Sequence, residues 1–199
     1  MGEAKGASTP LPDPALSARF TKLLDAYQAA LVAFAFGVVG ERELARDIVQ
    51  DTFVAAWQAA VRQEPPLRDP CDEEGTRRWL FAVTYRQAAL ALRRAHRSMW
   101  QSLDHDGADE ALAATPDIAQ RVAEADALRA ALHTLTAEDA ACFLLQAVHG
   151  FSTQEIAAIV QVRPGAVRKR LSRARQRLRA AYAAQLTNAS NPTKAQRRR

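Results

Sequence analysis

A chain of 199 residues that is 48% apolar can bury one mid-sized core or two small ones, which excludes an intrinsically disordered protein. Its net charge of +5 conceals a division: residues 1–159 hold fifteen basic against twenty-two acidic side chains, a net −7, whereas residues 160–199 hold twelve basic and no acidic ones. Two isolated cysteines, Cys71 and Cys142, exclude a disulfide framework, and no metal-spaced ligands, glycine-rich phosphate loop or nucleophile elbow occurs, so no metal, cofactor or catalytic residue is expected.

In chain order, residues 1–16, with Pro10, Pro12 and Pro14, read as a disordered leader without the apolar core of a signal peptide. From Ser17 to Phe36 a stripe of Phe20, Leu23, Leu24, Tyr27, Leu31 and Phe34 has helical spacing. A second helix is expected from Glu41 to Val61, burying Leu44, Ile48, Val49, Phe53, Trp57 and Val61. The segment Glu64–Thr76 holds three prolines and a glycine and reads as a loop. Helical spacing resumes from Arg77 to Met99 with six arginines and no acid. No apolar run approaches the roughly 20 residues of a membrane span, so no membrane insertion and a cytoplasmic location are expected.

Residues 101–120, with Asp104, Asp106, Asp109 and Glu110, read as a flexible acidic linker. The fold expected is all-α: two small helical domains, 17–100 and 121–187, joined by that linker, with a basic tail at 188–199. In the second domain, helices are expected over 122–132 and from Thr136 to about Gly150. Ser152-Thr-Gln-Glu155 fits a capping box that opens a short helix to Val160. A tight turn then leads to a long basic helix from Pro164, a favourable first helical residue.

Two short helices joined by a turn, the second basic, is the helix-turn-helix arrangement. At about 100° per residue, Val167, Leu171, Ala174 and Leu178 share one buried edge. Arg168, Lys169, Ser172 and Arg173 are the residues expected to reach base edges in a major groove, with Arg170, Arg175 and Arg177 flanking them for phosphates. The first domain carries a second basic helix with interleaved aromatics. Arg78, Trp79, Phe81, Tyr85, Arg86, Arg93, Arg94 and Arg97 combine stacking faces with positive charge, the mixture single-stranded nucleic acid requires, although Trp79 and Phe81 are equally compatible with ordinary core positions.

These residues carry a resemblance. Leu44-Ala-Arg-Asp-Ile-Val-Gln-Asp-Thr-Phe-Val-Ala-Ala-Trp57, the Trp79-Leu-Phe to Leu92-Arg-Arg94 stretch, and the Gly150-Phe-Ser-Thr-Gln-Glu-Ile-Ala and Gly165-Ala-Val-Arg-Lys-Arg-Leu-Ser-Arg-Ala-Arg segments resemble regions 2 and 4 of the extracytoplasmic-function sigma factors. The resemblance implies that Asp47, Gln50, Asp51 and Val54, on a face of the second helix away from Phe53 and Trp57, dock the β′ clamp helices of core RNA polymerase. The core's β subunit and promoter DNA would be further partners. It implies that the arginine-rich helix and its preceding loop hold the minus-ten element with a flipped base, that the last helix reads the minus-thirty-five duplex, and that an anti-sigma factor can occlude both surfaces. This chain departs from the family's usual pattern with Arg86 in place of Asn, Leu90 in place of a carboxylate, and a longer, proline-rich loop at 64–76. Two alternatives remain open on the residues alone: a stand-alone helix-turn-helix regulator, and a helical nucleic-acid-binding adaptor.

Overall fold

The structure, a computed structural model, describes residues 14–65, 67, 69, 72–99, 130–132 and 134–189, with side chains through 95 in the third helix and through 184 in the last. The expected leader (up to residue 13), the linker, most of the 122–132 helix, the basic tail from 190 and the side chain of Arg97 lie outside the described residues. Six helices have both ends among the described residues: α1 (Pro14–Val39), α2 (Arg42–Val61), α3 (Glu73–Met99), α4 (Ala137–Ala147), α5 (Thr153–Ile159) and α6 (Pro164–Ala189); residues 130–132 are helical as well.

Val61, expected on the buried face of the second helix, is 53% exposed at the end of α2, and three further features differ from the sequence reading. Helix α1 starts at Pro14, three residues early, a position where the missing proline amide costs nothing. It also contains an 18-residue window of mean hydropathy 1.4, long and apolar enough by length and composition to cross a membrane, contrary to the expectation that no run approaches that size. In this fold, that helix seats Leu31, Phe34, Ala35 and Val38 in the protein core. Helix α3 begins at Glu73, inside the expected loop, because Asp72 caps it: its Oδ1 accepts from the Gly75 amide at 2.8 Å. Glu73 and Glu74 then sit at the positive end of the helix dipole. A Cβ at position 75 would lie 2.0 Å from the Asp72 carboxylate, so a larger residue there would push the cap aside.

Helices α1, α2 and α3 pack on one another, and a buried polar pair sets the α2–α3 contact. Thr52 Oγ1 donates to the Ile48 carbonyl at 2.8 Å and Thr84 Oγ1 to the Leu80 carbonyl at 2.9 Å, leaving the two hydroxyl oxygens 3.3 Å apart. Each hydroxyl is thereby satisfied within its own helix, the condition for burying it. Helices α4, α5 and α6 form the second unit. Ser152 and Glu155 complete the reciprocal capping box that the sequence predicts, and at the start of α4 Thr136, expected only as the first residue of that helix, accepts from the Asp139 amide as its cap. Those hydrogen bonds from Ser152 hold the Glu155 carboxyl below its ordinary pKa.

The two units are packed together. One continuous apolar cluster runs from Leu31 and Phe34 through Phe81 to Leu145, Phe151 and Val167. At its centre the Phe81 ring lies 4.5 Å from His149 and 5.1 Å from Phe151, and Phe34 lies 5.4 Å from Phe81, separations at which tilted and edge-to-face aromatic pairs attract. Burial first, and then the Arg77 charge, lower the pKa of His149 from 6.5 to about 4.

Between pH 6.5 and about 4 the unfolded chain therefore binds a proton at this residue that the folded chain refuses. The contribution of His149 to stability is complete above pH 6.5 and declines as the pH falls toward 4. We expect the wild-type melting temperature to drop over this window more steeply than that of His149→Leu, as followed by circular dichroism at half-unit pH steps.

Candidate nucleic-acid interface

Helix α6 seats its apolar edge as its spacing predicts, with Val167, Leu171, Ala174 and Leu178 all buried. The connection before it turns at Gln161, whose φ of 55° is the left-handed conformation that reverses the chain between α5 and α6. Arg168, Lys169, Ser172, Gln176 and Arg179 project to the surface. Ser172, Arg175, Gln176 and Arg179 border a groove of about 390 Å³ along this face.

The remaining arginines of α6 are engaged by α4. Arg173 Nη2 lies 3.1 Å from Asp139 Oδ1 and Arg177 Nη1 lies 3.8 Å from Asp139 Oδ2, while the Asp139 side chain is only 2% exposed. Arg170, with a side chain 17% exposed, meets Glu138 at 2.9 Å, and Arg175 donates to Gln146 at 2.6 Å. Arg173 was expected among the base readers; it remains 58% exposed but is oriented by a buried carboxylate. Asp139 is the residue that sequence reasoning missed. Its place in the first turn of α4 after the Thr136 cap marks it as an N-terminal acid, and nothing in the spacing of α4 alone reveals which arginines it meets.

On α3, Arg78, Arg86, Arg93 and Arg94 are exposed, and Arg86 and Arg93 donate through Nε to carbonyls of their own helix at 3.3 and 3.1 Å. Trp79 is partly buried and lines a cleft of about 350 Å³ with Gln58, Arg62, Glu64, Arg86 and Gln87. Phe81 takes the core alternative, being 1% exposed. Tyr85 departs from the exposed aromatic set. It is half-buried toward the second unit, where burial and then Glu138 push its phenol pKa up and Arg170 opposes them.

On α2, Asp47, Gln50, Asp51 and Val54 are exposed, Val54 by 51%. The expectation that all four face away from Phe53 and Trp57 needs correction. Gln50 and Val54 border the same groove as those aromatics, a trough of about 1310 Å³ between α1 and α2 that also includes Phe20 and Phe36. The reason is angular: Gln50 and Val54 stand within about 100° of Phe53 around the helix, whereas Asp47 and Asp51 lie further round.

These features define an all-helical protein with two cationic faces, one of them on a helix-turn-helix. The Sigma-70 region 2 family model matches residues 23–98, and the Sigma-70, region 4 model matches residues 125–178. The chain is 30% identical to the ECF RNA polymerase sigma factor SigL of Mycobacterium tuberculosis, over 90% of this chain and 94% of that protein. It is 29% identical to the probable RNA polymerase sigma factor RfaY of Xanthomonas campestris pv. campestris over 80% of this chain, spanning 39% of the length of that relative. Among solved structures, the sigma factor RpoE of Bartonella quintana, in complex with the anti-sigma factor NepR, aligns with a TM-score of 0.62 at 26% identity, over 81% of this chain and 95% of that one. The chain belongs to the extracytoplasmic-function sigma factors of the sigma-70 family.

Asp139→Asn keeps the shape of the side chain and removes the charge that orients Arg173 and Arg177. Affinity for any duplex is expected to rise, because two guanidinium groups are released toward phosphates. Preference for a selected duplex over a scrambled one is expected to fall about tenfold, roughly 1.4 kcal/mol. Paired anisotropy titrations of the two duplexes read both changes.

Proposed function

We propose that this chain binds the core of a bacterial RNA polymerase and directs it to promoters by holding the minus-ten element on α3 and the minus-thirty-five element on α6. The observation that carries this reading is α6 itself. Its apolar edge is fully seated while Arg168, Lys169 and Ser172, at the N-terminal end that enters a major groove, are exposed. Arg173 and Arg177 reach the same duplex from the side, with Arg170 and Arg175 nearer α4.

On α3 the Trp79 cleft, bordered by Arg62 and Arg86, offers an indole face and cations to an unstacked base of the minus-ten strand. Arg78, Arg93 and Arg94 track its phosphates. Asp47 and Asp51, with Gln50 and Val54 on the adjoining trough, form the surface for the β′ clamp helices. The chain supplies binding free energy that distorts promoter DNA, and the chemistry of transcription belongs to the polymerase. It therefore acts in the cytoplasm, without enzymatic activity of its own. An anti-sigma factor is a partner of the same reading, supported by the complex of Bartonella RpoE with NepR.

Run-off transcription with purified core polymerase tests the proposal: promoter-dependent product is expected only when the chain is added. A stand-alone regulator would bind duplex and give none. Asp51→Arg is expected to weaken core association at least tenfold with unchanged helical content, since it places a like charge opposite a cationic partner surface. Lys169→Ala is expected to leave core binding intact and alter which upstream sequence is used, at a cost of about 1–3 kcal/mol on the original site.

A further inference from the structure

The trough of about 1310 Å³ between α1 and α2 is used by the clamp-helix reading only at its rim, through Gln50 and Val54. Its lining is otherwise largely apolar and aromatic. Phe53 is 7% exposed, while Phe20, Phe36 and Trp57 are only partly buried, the Phe20 ring standing edge-on 5.0 Å from Trp57.

Charge is spread unevenly along this trough. Arg42 and Arg46 border one end, beside Phe36 and the turn into α2. Arg42 lies 5.8 Å over the Phe36 ring and makes no ion pair among the described residues, whereas Arg46 pairs with Glu43, both side chains being exposed. Along α1, Asp25 stands about 16 Å from Phe36, and Phe20 about 24 Å, at 1.5 Å per residue.

The surface that docks on Asp47 and Asp51 is cationic, and the Arg42 end repels such a partner rather than holding it. That end therefore calls for an anion, and the aromatic wall behind it for a long apolar body. Asp25 in the far half excludes a second anionic group there. Pockets that are mostly apolar with a few convergent polar groups fix a ligand's orientation by the polar end. Two guanidinium forks suit a carboxylate, which accepts paired N–H donors.

We propose that this trough binds a free long-chain alkyl carboxylate, with its head group on Arg42 and Arg46 and its chain along Phe36, Phe53 and Trp57, and that the bound molecule excludes the β′ clamp helices from α2. The exclusion rests on the sigma reading above; the binding site does not. Ligand and core polymerase share the rim at Gln50 and Val54, so they compete. The chain is withdrawn from transcription when such carboxylates accumulate.

Calorimetric titration of the full chain with decanoate, dodecanoate and tetradecanoate, each below its micelle concentration, tests the site. Affinity is expected to rise about fourfold per added methylene as the alkyl chain is buried. Tetradecylammonium is expected to bind at least tenfold more weakly than tetradecanoate. The double variant Arg42→Gln/Arg46→Gln is expected to weaken tetradecanoate at least tenfold and to erase its advantage over the ammonium. Ala33→Glu, at an exposed position on the trough where glutamate suits a helix, is expected to weaken it as much without loss of helical content. At ten times its Kd, tetradecanoate is expected to lower core affinity about tenfold in the wild type, and to have little effect at the same concentration in the double variant. Equal affinity for the two head groups, or unchanged binding in either variant, would overturn the site. So would binding to phosphatidylglycerol vesicles with none to monomeric tetradecanoate, which assigns the trough to a membrane surface. Undiminished core association at saturating tetradecanoate would overturn the competition. Binding with the expected variant pattern in a chain that gives no promoter-dependent run-off product would instead leave the site standing and remove the sigma reading.

Discussion

The contact of Phe81 with His149 and Phe151 is the constraint on which the arrangement of the whole molecule depends. It is made by three rings from two halves of the chain, and it converts two helical triplets, each with a modest core, into one continuous apolar interior. Small helical units bury a small share of their surface, so sharing an interior raises the buried fraction of both. A basic imidazole at such a place is tolerated only in its neutral form, and this is why Arg77 beside it and the surrounding burial act in the same direction on its titration.

The same constraint explains the division of labour along α3. One side of the helix, through Phe81 and Tyr85, is turned to the second unit; another, through Trp79, Arg86 and Gln87, borders an open cleft against the end of α2. Aromatic residues that look equivalent in sequence are thus sorted by about 100° of rotation per residue into packing and presenting roles.

Much of the helical layout was legible from spacing and chemistry. The apolar edge of α6 and the Ser152–Glu155 cap are strong local signals, because each involves side chains within one or two turns of each other. The start of α3 was missed for an instructive reason. The three prolines earlier in the loop outweighed Asp72, and Gly75, read as one more breaker, is what lets the Asp72 carboxylate close over the first turn. Long-range facts were not legible at all: that Arg170, Arg173 and Arg177 meet Glu138 and Asp139 depends on the crossing of α4 over α6, and so does the burial of Tyr85. Composition suggested twelve cations with no opposing charge; in the fold several of them answer to acids some thirty positions earlier in the chain.

That pairing has a bearing on engineering and on divergence. A carboxylate sealed beneath the last helix becomes an orphan charge if the arginines above it are exchanged for the side chains of another protein, and such orphans are costly. Grafting a foreign recognition segment onto this scaffold should therefore succeed only when α4 travels with it. Lineages that change what the last helix reads are bound to change both helices in step.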